Sequence, residues 1–125
     1  WGVTTSGMGG RSLTRGIASA VTVLAQTASV ADAAATAVAN ACFVEDEGIR
    51  QLPAENIDPN SDIAGLHITT EVGPLSSGKI SIALNTARRK AEYLSQKDVI
   101  IGALITLDNV IVISKGMRPY VLPVK

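Results

Sequence analysis

The stretch Ser29-Val30-Ala31-Asp32-Ala33-Ala34-Ala35-Thr36-Ala37-Val38-Ala39-Asn40-Ala41 constrains this chain more than any other. Seven of its residues are alanine, the strongest helix former. Its polar residues Asp32, Thr36 and Asn40 recur every fourth position, which places them on one line of a helix. A helix that is apolar nearly all round is expected to be buried. A buried carboxylate then needs a donor, a cation or a metal.

Two readings of Asp32 stand at this point. Ser29 as N-cap with Asp32 three residues on is a capping-box variant, in which the acid reaches back to the cap's own N–H. Alternatively Asp32 is a ligand in a polar site. The capping box accounts for neither Thr36 nor Asn40.

Composition narrows the function classes. With 125 residues the chain is expected to form one domain. Eleven Lys and Arg balance eleven Asp and Glu, so no basic face points to nucleic acid. Hydrophobic residues make up 46% of the chain and aromatics only 3%, so the core is expected to be built from Ala, Val, Ile and Leu. The single cysteine, Cys42, makes no internal disulfide and reads as a small buried hydrophobe in a reducing, cytoplasmic setting. The chain opens at Trp1 with no basic segment ahead of an apolar run, so this is no signal peptide. A motif that starts at the first residue leads us to expect a piece of a larger protein.

Residues 4–16 hold four glycines, five Ser or Thr residues and two arginines. Glycine-loop N–H groups cradle anions, and Arg11 or Arg15 adds a phosphate contact. The spacing fits neither the P-loop nor the dinucleotide fingerprint, and a turn between strands is the simpler reading.

Residues 17–25 read as a strand. Residues 43–65 are polar and broken. Asp58, Asn60 and Asp62 alternate like the start of a calcium loop, but no Gly follows at the sixth position and no Glu at the twelfth. Residues 63–73 include an alternating half-buried strand. It carries His67, the only histidine, at a partly exposed position rather than as a metal ligand. Ser76 is expected to cap a second helix, with Leu75 and Ile80 as a hydrophobic staple. Arg88-Arg89-Lys90 is its solvated face. Residues 99–115 read as a β-hairpin turning at Asp108-Asn109. Their apolar run is too short to span a bilayer as a helix. The tail from Gly116 is expected to be extended. Strands and helices in this order imply an α+β layered fold.

Three of these segments together resemble the C-terminal half of the ApbE superfamily, which contains the FAD:protein FMN transferases. They are Thr5-Ser6-Gly7, the Ser19–Ala25 strand, and Ala31-Asp32-Ala33-Ala34-Ala35-Thr36-Ala37. The sequence is most similar to an uncharacterised ApbE-like branch that shares the A-V-T-V-L-A strand, the A-D-A-A-A-T-A helix and a D-P-x-S-D-[IL] stretch, here Asp58 to Ile63. The resemblance implies a T-fold-like antiparallel sheet with helices packed on one face. It implies Mg²⁺ held by Asp32 and Thr36, and FAD or FMN contacted by Thr5, Ser6, Gly7 and Arg11. Mg²⁺ suits such a pair, because it takes one or two oxygens from protein and the rest from phosphate and water.

The transferases carry H-x-x-D-P-x-T-G where this chain has Arg11 to Gly16, without His or Asp-Pro. Two functions follow. One is Mg²⁺-dependent flavin or nucleotide binding or transfer. The other is a non-catalytic small-molecule-binding or accessory protein of sulfur or amino-acid metabolism. The expected partners are a missing N-terminal half, a second chain or a second copy, together with a nucleotide-like ligand. Nucleic acid and membrane are not expected.

Overall fold

The computed structural model describes residues 1–7, 15–53 and 67–121. Strand β1 (Gly2–Ser6) pairs antiparallel with β2 (Ala20–Ala25), and helix α1 (Ala28–Ala41) follows. Strands β3 (Ile49–Pro53) and β4 (His67–Val72) form a separate two-stranded sheet with a bulge between Arg50 and Gln51. Helix α2 (Ser77–Gln96) leads to β5 (Gly102–Leu107) and β6 (Val110–Ile113), and a 3₁₀ turn covers Lys115–Tyr120. The main sheet is antiparallel in the order β1-β2-β5-β6. The protein is therefore α+β, an antiparallel sheet with helices packed on it.

Alternation decides which side of the sheet each residue joins. Val21, Val23 and Ala25 of β2, with Ala103, Ile105 and Leu107 of β5, point towards the helices and form the core with them. Helix α1 contributes Ala31, Ala34, Ala35, Val38 and Ala39, a 3.6-residue repeat whose small side chains bring its backbone close to the sheet. Helix α2 contributes Ile80, Ala83, Leu84, Ala87 and Ala91. Full burial of side chains such as Leu84 and Ile105 is worth about 1.5–3 kcal/mol each.

The alternate residues form cross-strand rows on the opposite side. Thr5, Thr22, Leu104 and Ile113 are direct register partners, as are Ala20, Thr106 and Ile111. The 3₁₀ turn covers one corner of this side, beside Val3 and Leu24. There Met117 lies so close that a Cβ at Gly102 would meet its backbone at 2.4 Å.

Several expectations hold. Ser76 caps α2, its Oγ accepting from Lys79 N at 3.3 Å. Asp108 and Asn109 adopt φ of 48° and 66°, the left-handed pair that a tight hairpin turn uses. His67 lies exposed on β4.

Other expectations are corrected. Thr4 to Ser6 belong to β1, not to the glycine-rich loop, because β2 offers them a pairing edge. The strand over residues 17–25 begins only at Ala20. A strand, β3, lies inside the polar stretch, since β4 supplies its hydrogen bonds. The described part of the tail curls into the 3₁₀ turn rather than extending. The N-cap of α1 is Thr27, whose Oγ1 accepts from Val30 N at 3.2 Å. Ser29 instead sits in the first turn, its hydroxyl beside that of Thr27 at 3.3 Å.

The buried-helix expectation fails for Asp32, which is exposed with Ala33. The sheet and α2 bury only part of α1, and alanine leaves the helix apolar also where no described residue covers it.

Candidate functional site

The line Asp32–Thr36–Asn40 runs up the flank of α1 beside its buried side. Asn40 ends it, its Oδ1 accepting from Arg15 N at 2.9 Å. The Arg15 carbonyl in turn accepts from Gln51 Nε2 at 3.0 Å and Thr69 Oγ1 at 3.1 Å. Gln51 Nε2 also reaches Thr69 Oγ1 at 3.1 Å. The backbone of Arg15 is thus clamped between the last turn of α1 and the β3–β4 sheet. These anchors leave its exposed side chain outside the clamp.

Next along the chain, Gly16 presses on the end of α1, where a Cβ would stand 1.8 Å from the Ala39 carbonyl oxygen. Ile17 N donates to Cys42 O at 2.7 Å. Gly7, at φ +125°, packs against the backbone of Ala18 to Ala20. Arg15, Gly16 and Ile17 therefore stand at the C-terminal end of α1. Arg11 lies outside the described residues, as does the Asp58–Ile63 stretch.

The polar line approaches this place from below. At 1.5 Å rise per residue, Thr36 is about 6 Å and Asp32 about 12 Å down the helix from Asn40. Thr36 Oγ1 donates its proton to the Asp32 carbonyl at 3.1 Å and keeps its lone pairs as acceptors. The Asp32 carboxylate neither caps α1 nor joins an ion pair among the described residues. Ser6 is buried on the α1 side of β1, whereas Thr5 points to the opposite side, its hydroxyl 2.9 Å from that of Thr22. Ser6 thus lies on the α1 side of the sheet and Thr5 on the other.

Among the described residues no three His, Cys, Asp or Glu side chains converge as a metal site. The donor set still fits a cation that draws most of its ligands from elsewhere. One carboxylate and one hydroxyl a turn apart match Mg²⁺ bound through phosphate and water, and fit poorly a cation that needs a full protein cage.

Two cavities flank the clamp. One of about 320 Å³ is lined by Arg15, Asn40, Phe43, Glu45 and Gln51. A larger one of about 720 Å³ lies by Ile17, Ser19, Val72, Leu75, Leu107 and Asp108. Nearby, the Lys79 ammonium donates to Asp46 at 2.7 Å and Gly48 N donates at 2.8 Å. The hydrogen bond from Lys79 is the larger cause that holds the Asp46 carboxyl below its ordinary range. Cys42 is buried, which pushes its thiol up to about 12 and keeps it out of nucleophilic chemistry.

Comparison with known proteins places this chain in a family. Residues 1–116 match the family described as "AbpE bacteria". The chain belongs to that family. The match agrees with the ApbE-like resemblance of its T-S-G, strand and A-D-A-A-A-T-A segments, without selecting a branch. The chain is similar to the "UPF0280 protein" of Methanococcus vannielii, 40% identical over 91 residues. That alignment covers 70% of this chain and 36% of the relative, so the match spans little more than a third of that relative's length. No solved structure matches the chain. No helix among the described residues is long and apolar enough to cross a membrane.

Proposed function

We propose that this chain is the Mg²⁺-dependent flavin-nucleotide-binding part of an ApbE-like protein with a T-fold-like sheet. Asp32 and Thr36 supply the protein's oxygen ligands to the cation. The Ser6–Gly7 end of β1 and Arg11 meet the phosphates, while Thr5 holds β1 to β2. The observation that carries this reading is the position of Asp32. Asp32 is exposed one turn before half-buried Thr36 on the same line of α1, and neither the helix cap nor the core uses its carboxylate.

When bound, Mg²⁺ supplies neutralisation of the pyrophosphate charge. The chain's own residues fix where that charge sits. Alanine packing sets α1 against the sheet, and the clamp fixes the backbone of Arg15 at the end of the same helix.

Titration calorimetry of FAD with and without Mg²⁺ tests this. Binding to the wild type is expected to require Mg²⁺, and Asp32→Ala is expected to abolish that dependence. Unchanged Mg²⁺-dependent affinity in Asp32→Ala would sink the assignment.

A second reading, binding without transfer, is favoured by the Arg11–Gly16 stretch, which lacks the His and Asp-Pro of the transferases. Under it, FAD and Mg²⁺ bind but no FMN becomes covalently attached to an acceptor protein. Covalent flavinylation of an acceptor incubated with the protein, FAD and Mg²⁺ would exclude this reading.

A further inference from the structure

The smaller cavity beside the clamp, of about 320 Å³, holds opposite charges that do not pair. Arg15 and Glu45 both line it. Each is exposed, and no salt bridge joins them to each other or to another described residue. Lys79 and Asp46 behave otherwise: they too line a common cavity, and they close on each other at 2.7 Å. A guanidinium and a carboxylate left apart in one cavity offer partners to a molecule that carries both charges itself.

The remaining lining narrows what that molecule is. Phe43, half-buried, supplies an aromatic surface, and Asn40 and Gln51 supply carboxamides. Both carboxamides are fixed by the backbone of Arg15. Asn40 Oδ1 accepts from Arg15 N, and Gln51 Nε2 donates to Arg15 O. Gln51 is held a second time by Thr69 Oγ1 at 3.1 Å. The end of α1, the stretch after it, β3 and Arg15 thus meet already ordered, which lowers the cost of binding a ligand there. A few convergent polar groups beside an apolar surface are what small-molecule pockets present.

Size selects the class. Such pockets span about 300–1,000 Å³, and this one lies at the lower end. It has room for a single amino acid and not for a dinucleotide.

We propose that this cavity binds a free α-amino acid. Arg15 takes the carboxylate, for which a guanidinium offers two parallel donors. Glu45 takes the ammonium, and Phe43 covers an apolar side chain. The site is separate from the Asp32–Thr36 pair and does not rest on the flavin reading.

The test is calorimetric titration of the full-length gene product with L-leucine and L-phenylalanine, without FAD or Mg²⁺. At least one is expected to bind. Its analogue without the carboxylate (isoamylamine or phenethylamine) and its analogue without the ammonium (4-methylpentanoate or 3-phenylpropionate) should each bind about tenfold more weakly or worse, as the loss of a hydrogen bond to a charged group predicts. Arg15→Gln should remove the discrimination against the amine, and Glu45→Gln that against the acid. Neither side chain is part of the clamp, so both variants should melt with the wild type. Should either melt early, the analogue series on the wild type decides alone. The proposal is overturned if neither amino acid binds at millimolar concentration, if an analogue binds as tightly as its parent, or if folded variants discriminate as the wild type does. Displacement of the amino acid by FAD also overturns it, since Arg15 would then serve the nucleotide.

Discussion

Asn40 links the polar line of α1 to the backbone of Arg15. Its side-chain oxygen receives the Arg15 N–H, and truncation leaves that donor without its acceptor. Asn40→Ala is therefore expected to cost about 1 kcal/mol or more, read as a lower urea midpoint, while Asn40→Asp, which keeps the acceptor, costs less. Asp46 offers a second test at this scale. Its folded-state carboxyl titrates below the ordinary range, chiefly because Lys79 donates to it. A lowered folded-state value stabilises at pH above the unfolded value and loses that contribution as pH falls through the folded one. Asp46→Asn should thus lower the melting temperature at pH 7, and the gap to wild type should close as the pH drops below about 4, the ordinary aspartate value. A gap that stays constant down to pH 2.5 would show that the carboxylate's charge contributes nothing.

Helix α1 turns on which residue starts it. Thr27, not Ser29, accepts the first free N–H. Thr27→Ala should cost about 1 kcal/mol, whereas Ser29→Ala should be nearly neutral; the reverse order in chemical denaturation would restore Ser29 as the cap. The two helices, the terminal hairpin and its turn were legible because they rest on local signals: the alanine repeat, the Ser76 cap and staple, and the Asp108-Asn109 pair. Strand β3 was not legible, because Ile49–Pro53 is strand only through its pairing with β4. The Arg15 clamp was hidden for the same reason: Gln51 and Thr69 are 36 and 54 residues away in sequence. The exposure of Asp32 escaped a reading by composition, because a run of alanine shows how apolar a helix is but not how many of its sides are covered. Asp32 and Thr36 themselves stood out by their four-residue spacing.

At the scale of the whole molecule, one sheet carries two unlike sides. The helical side holds the core and, along the flank of α1, the carboxylate–hydroxyl pair assigned to Mg²⁺. The opposite side holds, among the described residues, paired threonines and uncharged aliphatics. Because Asp32 is exposed and caps nothing, Asp32→Asn should leave the unliganded protein's stability within about 0.5 kcal/mol of wild type. Any loss of ligand effect in that variant is then a loss of binding, not of fold. The decisive measurement is the melting temperature of the wild type and Asp32→Asn with no addition, with Mg²⁺, with FAD, and with both. Ligand at a hundred times its Kd stabilises the native state by about 2.7 kcal/mol, several degrees for a chain of this size. The wild type should show that rise with FAD and Mg²⁺ together and little with either alone, while Asp32→Asn starts from the same temperature and lacks the Mg²⁺-dependent rise. An equal rise in both proteins, or none in the wild type, would contradict the assignment of Asp32 and Thr36 to a magnesium–flavin nucleotide site.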